Sequence, residues 1–166
     1  MSPISNKQRG KFFEEKIAKT YRDIFNLSKH ECYRAGSSGA RTTIEYNGDI
    51  TFSDPIKYPI ITECKYRKNL DINDIFPICN NEVNKWIEQA LSQQGLYKKM
   101  FKKDPLTLII CGKPYMSNPW CILLYYEQKS SQFNHITFTS EVYESVYSLV
   151  SLLDLPKIFK IWQLIK

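Results

Sequence analysis

The segment Pro59-Ile60-Ile61-Thr62-Glu63-Cys64-Lys65-Tyr66 constrains the fold of this chain more than any other. It opens on a proline and is rich in β-branched and apolar residues, the signature of a buried central strand. Side chains alternate along a strand, so Ile61, Glu63 and Lys65 share one face while Ile60, Thr62 and Cys64 take the other. Burying an unpaired charge costs several kcal/mol. An apolar strand with two charges side by side therefore asks for partners, and for a reason to keep them.

The flanking sequence supplies an α/β frame. Residues 5–26 read as a helix: Ser5-x-x-Gln8 is a capping box, and Phe13, Ile17, Tyr21 and Ile24 recur at helical spacing. Glu14 sits at the border of that buried stripe, sharing an edge with Ala18, Tyr21 and Phe25, whereas Glu15, Lys16, Lys19 and Arg22 are expected in solvent. A short strand near His30–Tyr33 leads into a Gly/Ser loop bracketed by Arg34 and Arg41. Thr42–Phe52 is strand-rich and broken by the turn pair Asn47-Gly48. After a loop at Asp71–Asn81, the spacing predicts a helix over Glu82–Met100, with Val83, Trp86, Ile87, Ala90, Leu91 and Gln94 on one face. Leu106–Cys111, Trp120–Tyr126 and Ile136–Thr139 read as strands. Ser140 is expected to cap a further helix carrying Val142, Val146, Leu149 and Val150 inward, and Lys157–Ile165 is a short apolar segment. The order is helix, strands, helix, strands, helix, in a single domain over 1–166 with a mixed sheet. Its core covers about 5–127, and a C-terminal helical extension covers about 128–166.

Composition narrows the function. With 43% hydrophobic and 14% aromatic residues, the chain is too apolar to be disordered. No apolar run approaches the roughly 20 residues that span a bilayer, so no membrane is expected. The N-terminus also lacks the apolar core of a signal peptide. Cys32, Cys64, Cys79, Cys111 and Cys121 are widely spaced, which fits reduced core thiols better than a zinc or redox motif. The expected setting is cytoplasmic, the host cytoplasm if the chain is viral. The net charge of +6 is uneven. Residues 1–41 hold nine Lys and Arg against four acids, residues 42–97 five against eight, and residues 98–140 six against two. An acidic middle between basic flanks suits a cation-binding centre inside a polyanion-binding surface.

Asp49 follows the turn glycine and heads Ile50-Thr51-Phe52. If that strand lies beside the Glu63 strand, Asp49 and Glu63 reach one divalent cation, with Glu14 a third carboxylate. Two or three carboxylates with waters and a phosphate oxygen make a Mg²⁺ site. Such an ion polarises a phosphoryl group and lowers the pKa of bound water. Lys65 would orient that water or offset developing negative charge.

Four blocks in order, Arg9-Gly10-Lys11-Phe12-Phe13-Glu14, Tyr33-Arg34-Ala35-Gly36-Ser37-Ser38, Gly48-Asp49 and Glu63-Cys64-Lys65, resemble the PD-(D/E)xK nuclease superfamily. The likeness is nearest to the archaeal-type Holliday junction resolvases, which also occur in viruses. The resemblance implies a restriction-endonuclease-like core, a central mixed β-sheet flanked by helices. It also implies metal ligands at Glu14, Asp49 and Glu63, a catalytic lysine at Lys65, and a serine at the scissile phosphate, Ser37 or alternatively Ser38. Asp54, in the reversed order Asp54-Pro55, is the weaker substitute for Asp49, and Glu14 is preferred over Glu15. The implied cofactor is Mg²⁺, with Mn²⁺ able to substitute. The implied partner is branched or double-stranded DNA, held by a two-fold homodimer.

Phosphate contacts are expected from Lys7, Arg9, Lys11, Arg34, Ser38, Arg41, Lys98, Lys99, Lys102 and Lys103, with Lys16 a further candidate. The apolar C-terminal residues either form the dimer contact or, the favoured reading, pack on their own core. Two other functions fit the same residues. One is a restriction-like, repair or nicking endonuclease of the same superfamily; the other is a basic DNA-binding protein of this fold without catalysis.

Overall fold

The computed structural model describes residues 5–35, 48–71, 81–125, 136–140 and 145–164. Helix α1 (Asn6–Phe25) begins at a complete capping box: Ser5 and Gln8 satisfy each other's backbone amides, as their spacing predicts. It ends where Asn26 turns left-handed and donates to the carbonyl of Arg22. Phe13, Ile17, Ala18 and Tyr21 form its buried stripe. Strands β1 (Cys32–Arg34) and β2 (Ile50–Phe52) make a small antiparallel pair. Arg22 is not solvated as expected: only 11% of its side chain is exposed. It donates to the Cys32 carbonyl at 2.9 Å and to Glu15 at 2.8 Å. The charge is spent pinning β1 to α1.

Strand β3 (Ile60–Tyr66) runs parallel to β4 (Leu106–Gly112), and helix α2 (Asn81–Phe101) lies between them in sequence. A parallel pair needs such a crossover. Strand β4 pairs antiparallel with β5 (Trp120–Tyr125), β5 with β7 (Ser145–Ser151), and β7 with β6 (Ile136–Ser140). The five-stranded sheet has the order β3-β4-β5-β7-β6. Every residue of β4 is buried, as expected for a strand covered on both faces. On one side Phe13, Ile17 and Tyr21 of α1 pack with Leu108, Ile110 and Leu123, joined by helix α3 (Leu155–Ile161) through Leu155, Ile158 and Phe159. On the other side Val83, Trp86, Ile87 and Ala90 of α2 cover Ile109, Cys111, Ile122 and Leu124. The chain is thus a mixed α/β fold of restriction-endonuclease-like type.

Three expectations change. Among the described residues, strand β3 is the first strand of its ladder rather than a central one, and its outer edge carries one parallel bridge, Gly48 to Thr62. Over residues 145–151 the expected helix is instead a strand between β5 and β6. Consecutive residues Leu149 and Val150 reach opposite cores, the α2 side and the α1 side, which a helix face cannot do. The C-terminal extension is therefore not wholly helical: β6 and β7 complete the main sheet, and α3 is its α-helix among the described residues. Ile161, Trp162 and Leu164 lie against the α1-side core, so the apolar end packs on its own domain. Val142 and the Asp71–Asn81 loop beyond its first residue lie outside the described residues, apart from Asn81, which begins α2. No helix among the described residues is long and apolar enough to cross a membrane.

Candidate active site

The alternation of β3 sorts its residues as the sequence requires. Thr62 faces α1, where its hydroxyl meets Tyr21 at 2.8 Å, and Cys64 joins the same core. Ile61, Glu63 and Lys65 face α2: Ile61 packs with Tyr97, and Glu63 and Lys65 meet glutamines. Tyr97, whose hydroxyl donates to the Pro55 carbonyl at 2.5 Å, fixes that end of the helix against the strand. At the other end Arg67 pairs with Glu82.

Asp49 arrives on the bare edge of β3. Gly48 has φ +65°, and a Cβ there would collide with the Thr62 carbonyl oxygen and lie 3.3 Å from Glu63 Oε1. Glycine permits both the left-handed turn and the close approach. The Asp49 amide then donates to the Thr62 carbonyl at 2.7 Å, and its own carbonyl accepts from the Ala35 amide at 2.8 Å. Its carboxylate Oδ2 accepts from the Cys64 amide at 2.7 Å. A side chain thus occupies the place of a missing strand partner, which puts Asp49 beside Glu63.

Glu63 is 1% exposed. Its Oε2 accepts from Lys65 Nζ at 2.7 Å and its Oε1 from Gln93 Nε2 at 2.6 Å. Lys65 Nζ also donates to Gln89 Oε1 at 3.0 Å. Glu14, half-buried on the rim of α1, accepts from Arg34 Nη1 at 3.3 Å, and that guanidinium also holds the Ala35 carbonyl. Burial, and then the negative charge of Glu63, push the Asp49 carboxyl up to about 7 against the pull of the Cys64 amide and Lys65. Burial also raises Glu14, partly offset by Arg34 and Lys11. Asp49 and Glu14 are thus both held above their ordinary range chiefly by burial. Among the described residues, no three His, Cys, Asp or Glu side chains stand close enough to hold an ion as placed. Both oxygens of Glu63 are engaged by Lys65 and Gln93, one of Glu14 by Arg34 and one of Asp49 by the Cys64 amide. The donor set is nevertheless all carboxylate oxygen, the kind a hard divalent cation takes. The buried Oε1 of Gln93 beside it has no hydrogen-bond partner. These residues fit a hydrated divalent ion.

The structure therefore brings Glu14, Asp49, Glu63 and Lys65 together, with Arg34 and Lys11 beside Glu14. Lys7 is exposed, and Arg9 half-buried, at the start of the same helix. The α2 lysines stand apart. Lys99 lies about 9 Å along the axis from Gln93, with Lys102 and Lys103 past the helix end. Lys103 touches the Ile56 carbonyl, and Lys98 is paired with Asp104 at 2.9 Å. Asp54 caps its own turn through the Ile56 and Lys57 amides. Ser37, Ser38 and Arg41 lie outside the described residues. Sequence reasoning missed Gln89 and Gln93. Their spacing of four residues, one helical turn, was the available signal. Among the described residues Cys32, Cys64, Cys111 and Cys121 are free, and burial raises each thiol; Cys79 lies outside them.

A family model described as "Phage putative PDDEXK endonuclease" matches residues 5–153. The chain belongs to this PDDEXK endonuclease family. The match begins at the α1 cap and runs through all five strands of the main sheet, so the family's region includes the elements carrying Glu14, Asp49, Glu63 and Lys65. A PDDEXK endonuclease implies a nuclease acting on DNA. No curated protein and no solved structure matches the chain.

Proposed function

We propose that this protein is a Mg²⁺-dependent, structure-selective DNA endonuclease acting on four-way junctions, with Mn²⁺ able to replace Mg²⁺. The observation that carries the reading is the meeting of Asp49, Glu63 and Lys65 across the Gly48–Thr62 bridge, in a chain of an endonuclease family. Asp49 and Glu63 would hold the ion, with Glu14 as third carboxylate. When bound, the ion supplies a Lewis acid for the phosphate and a more acidic water. Three carboxylates gathered in a partly buried site repel one another, and a dication relieves that repulsion. With Glu63 holding an ion, the ammonium of Lys65 would orient the attacking water or face the phosphate oxygen that gains charge. Arg34 and Lys11, beside Glu14, are placed to meet a DNA phosphate, and Ser37 or Ser38 contributes at the scissile position. Cutting two strands of a junction symmetrically calls for a homodimer, working in the host cytoplasm of a phage.

A second reading, another endonuclease of the superfamily with restriction-like, repair or nicking activity, is favoured by the family description, which names an endonuclease and no junction. Purified protein with Mg²⁺ is to be given four-way junction, flap, duplex and single-stranded DNA. Paired symmetric nicks in the junction are the expected result. Preferential cleavage of flap or duplex would select the second reading. Binding without Mg²⁺-dependent cleavage of any substrate would leave a non-catalytic DNA-binding protein.

A further inference from the structure

Helix α2 presents two glutamines, one turn apart, to the charged face of β3, and their amides are used in opposite senses. Gln89 accepts from Lys65 Nζ at 3.0 Å through its oxygen, whereas Gln93 donates to Glu63 Oε1 at 2.6 Å through its nitrogen. The orientation of the Gln93 amide is fixed by its neighbour. Turning it over would set its carbonyl oxygen against a carboxylate oxygen. That leaves Gln93 Oε1 buried and without a partner, a condition native structures seldom tolerate without cause. A glutamine serving only to fill space there would be replaced at no loss by methionine. Nothing among the described residues donates to this oxygen, which belongs to the same amide whose nitrogen meets Glu63.

We infer that Gln93 is a positioning residue that aims the Glu63 carboxylate at the cation and accepts, through Oε1, a hydrogen bond from a water the cation carries. The inference rests on the metal-site reading above and assigns α2 a part in it. Partners that orient a ligating group typically contribute about ten- to a hundredfold in metal affinity.

Calorimetric titration of the full chain with Mn²⁺, in the absence of DNA, tests this alongside thermal unfolding of the ion-free protein. Gln93→Met is expected to bind Mn²⁺ about ten- to a hundredfold more weakly, while its ion-free unfolding stays cooperative at a midpoint lowered by loss of the amide bond to Glu63. Gln93→Ala, which introduces no new side chain to fit, is expected to show the same loss, and Gln94→Met to bind like the parent. If Asp49→Asn loses Mn²⁺ while both Gln93 variants bind within about twofold of the parent, the role of Gln93 is overturned and the metal site stands. If the parent itself binds no Mn²⁺, both fall together.

Discussion

Asp49 is the residue at which the cost of this site is most visible. The folded protein holds its proton up to about pH 7, against an ordinary value of 3.8. The folded state therefore binds more protons than the unfolded chain between those values. The stability this group contributes is present below about pH 4 and is lost as pH rises through about 7. Asp49→Asn keeps an oxygen for the Cys64 amide and removes the charge. In chelator, the variant is expected to be more stable than the parent at pH 8, by on the order of 2 kcal/mol, and to match it near pH 4. Urea unfolding at the two pH values measures this; an equal deficit at both would refute it. Glu63, Lys65 and Asp49 were legible in the sequence because strand alternation and a turn glycine are local rules. The partners of these residues were not. Gln93, Gln89 and the Arg34–Glu14 contact each join positions 20 or more residues apart, and nothing in one helix or strand states which element will face it.

At the scale of elements, both long helices were readable because each has an uninterrupted apolar stripe and matches the sheet with it. Strand β7 was not readable. Val146, Leu149 and Val150 fall at helical spacing, and what overrides it is the pairing with β5 along its second edge. The outer edge of β3 is the functional counterpart. A full strand laid there would have used the Cys64 amide in a ladder bond. The Asp49 carboxylate uses it instead. Helix α2 also carries a residue with no such reason. A Cβ at Gly95 would meet nothing within 4 Å, and glycine in a helix interior costs about 1 kcal/mol relative to alanine. Gly95→Ala is therefore expected to stabilise the protein by about 0.5–1 kcal/mol with cleavage unchanged, as denaturant titration and a nuclease assay would show. Destabilisation would mean that α2 needs a bend at that point.

For the molecule as a whole, the layers explain the charge distribution. The sheet is covered by α1 and α3 on one side and α2 on the other, so β4, buried along its whole length, has no wet face on which to place a reactive group. Chemistry is confined to the edge, and that is where the acidic middle of the chain delivers Asp49 and Glu63. Glu14 joins them from the basic N-terminal segment, with Lys11 and Arg34 close by. The second basic cluster, at the end of α2, lies along the helix from this edge, so the net charge of +6 is spread over more surface than the reactive centre occupies. The central claim is that these carboxylates work as a cation-dependent cleavage centre. The most direct measurement is the initial rate of Mg²⁺-dependent DNA cleavage by Asp49→Asn and Glu63→Gln beside the parent, with DNA affinity recorded on the same samples. Cleavage is expected to fall by at least about a hundredfold in each while DNA binding is largely retained; undiminished cleavage by both variants would contradict the account.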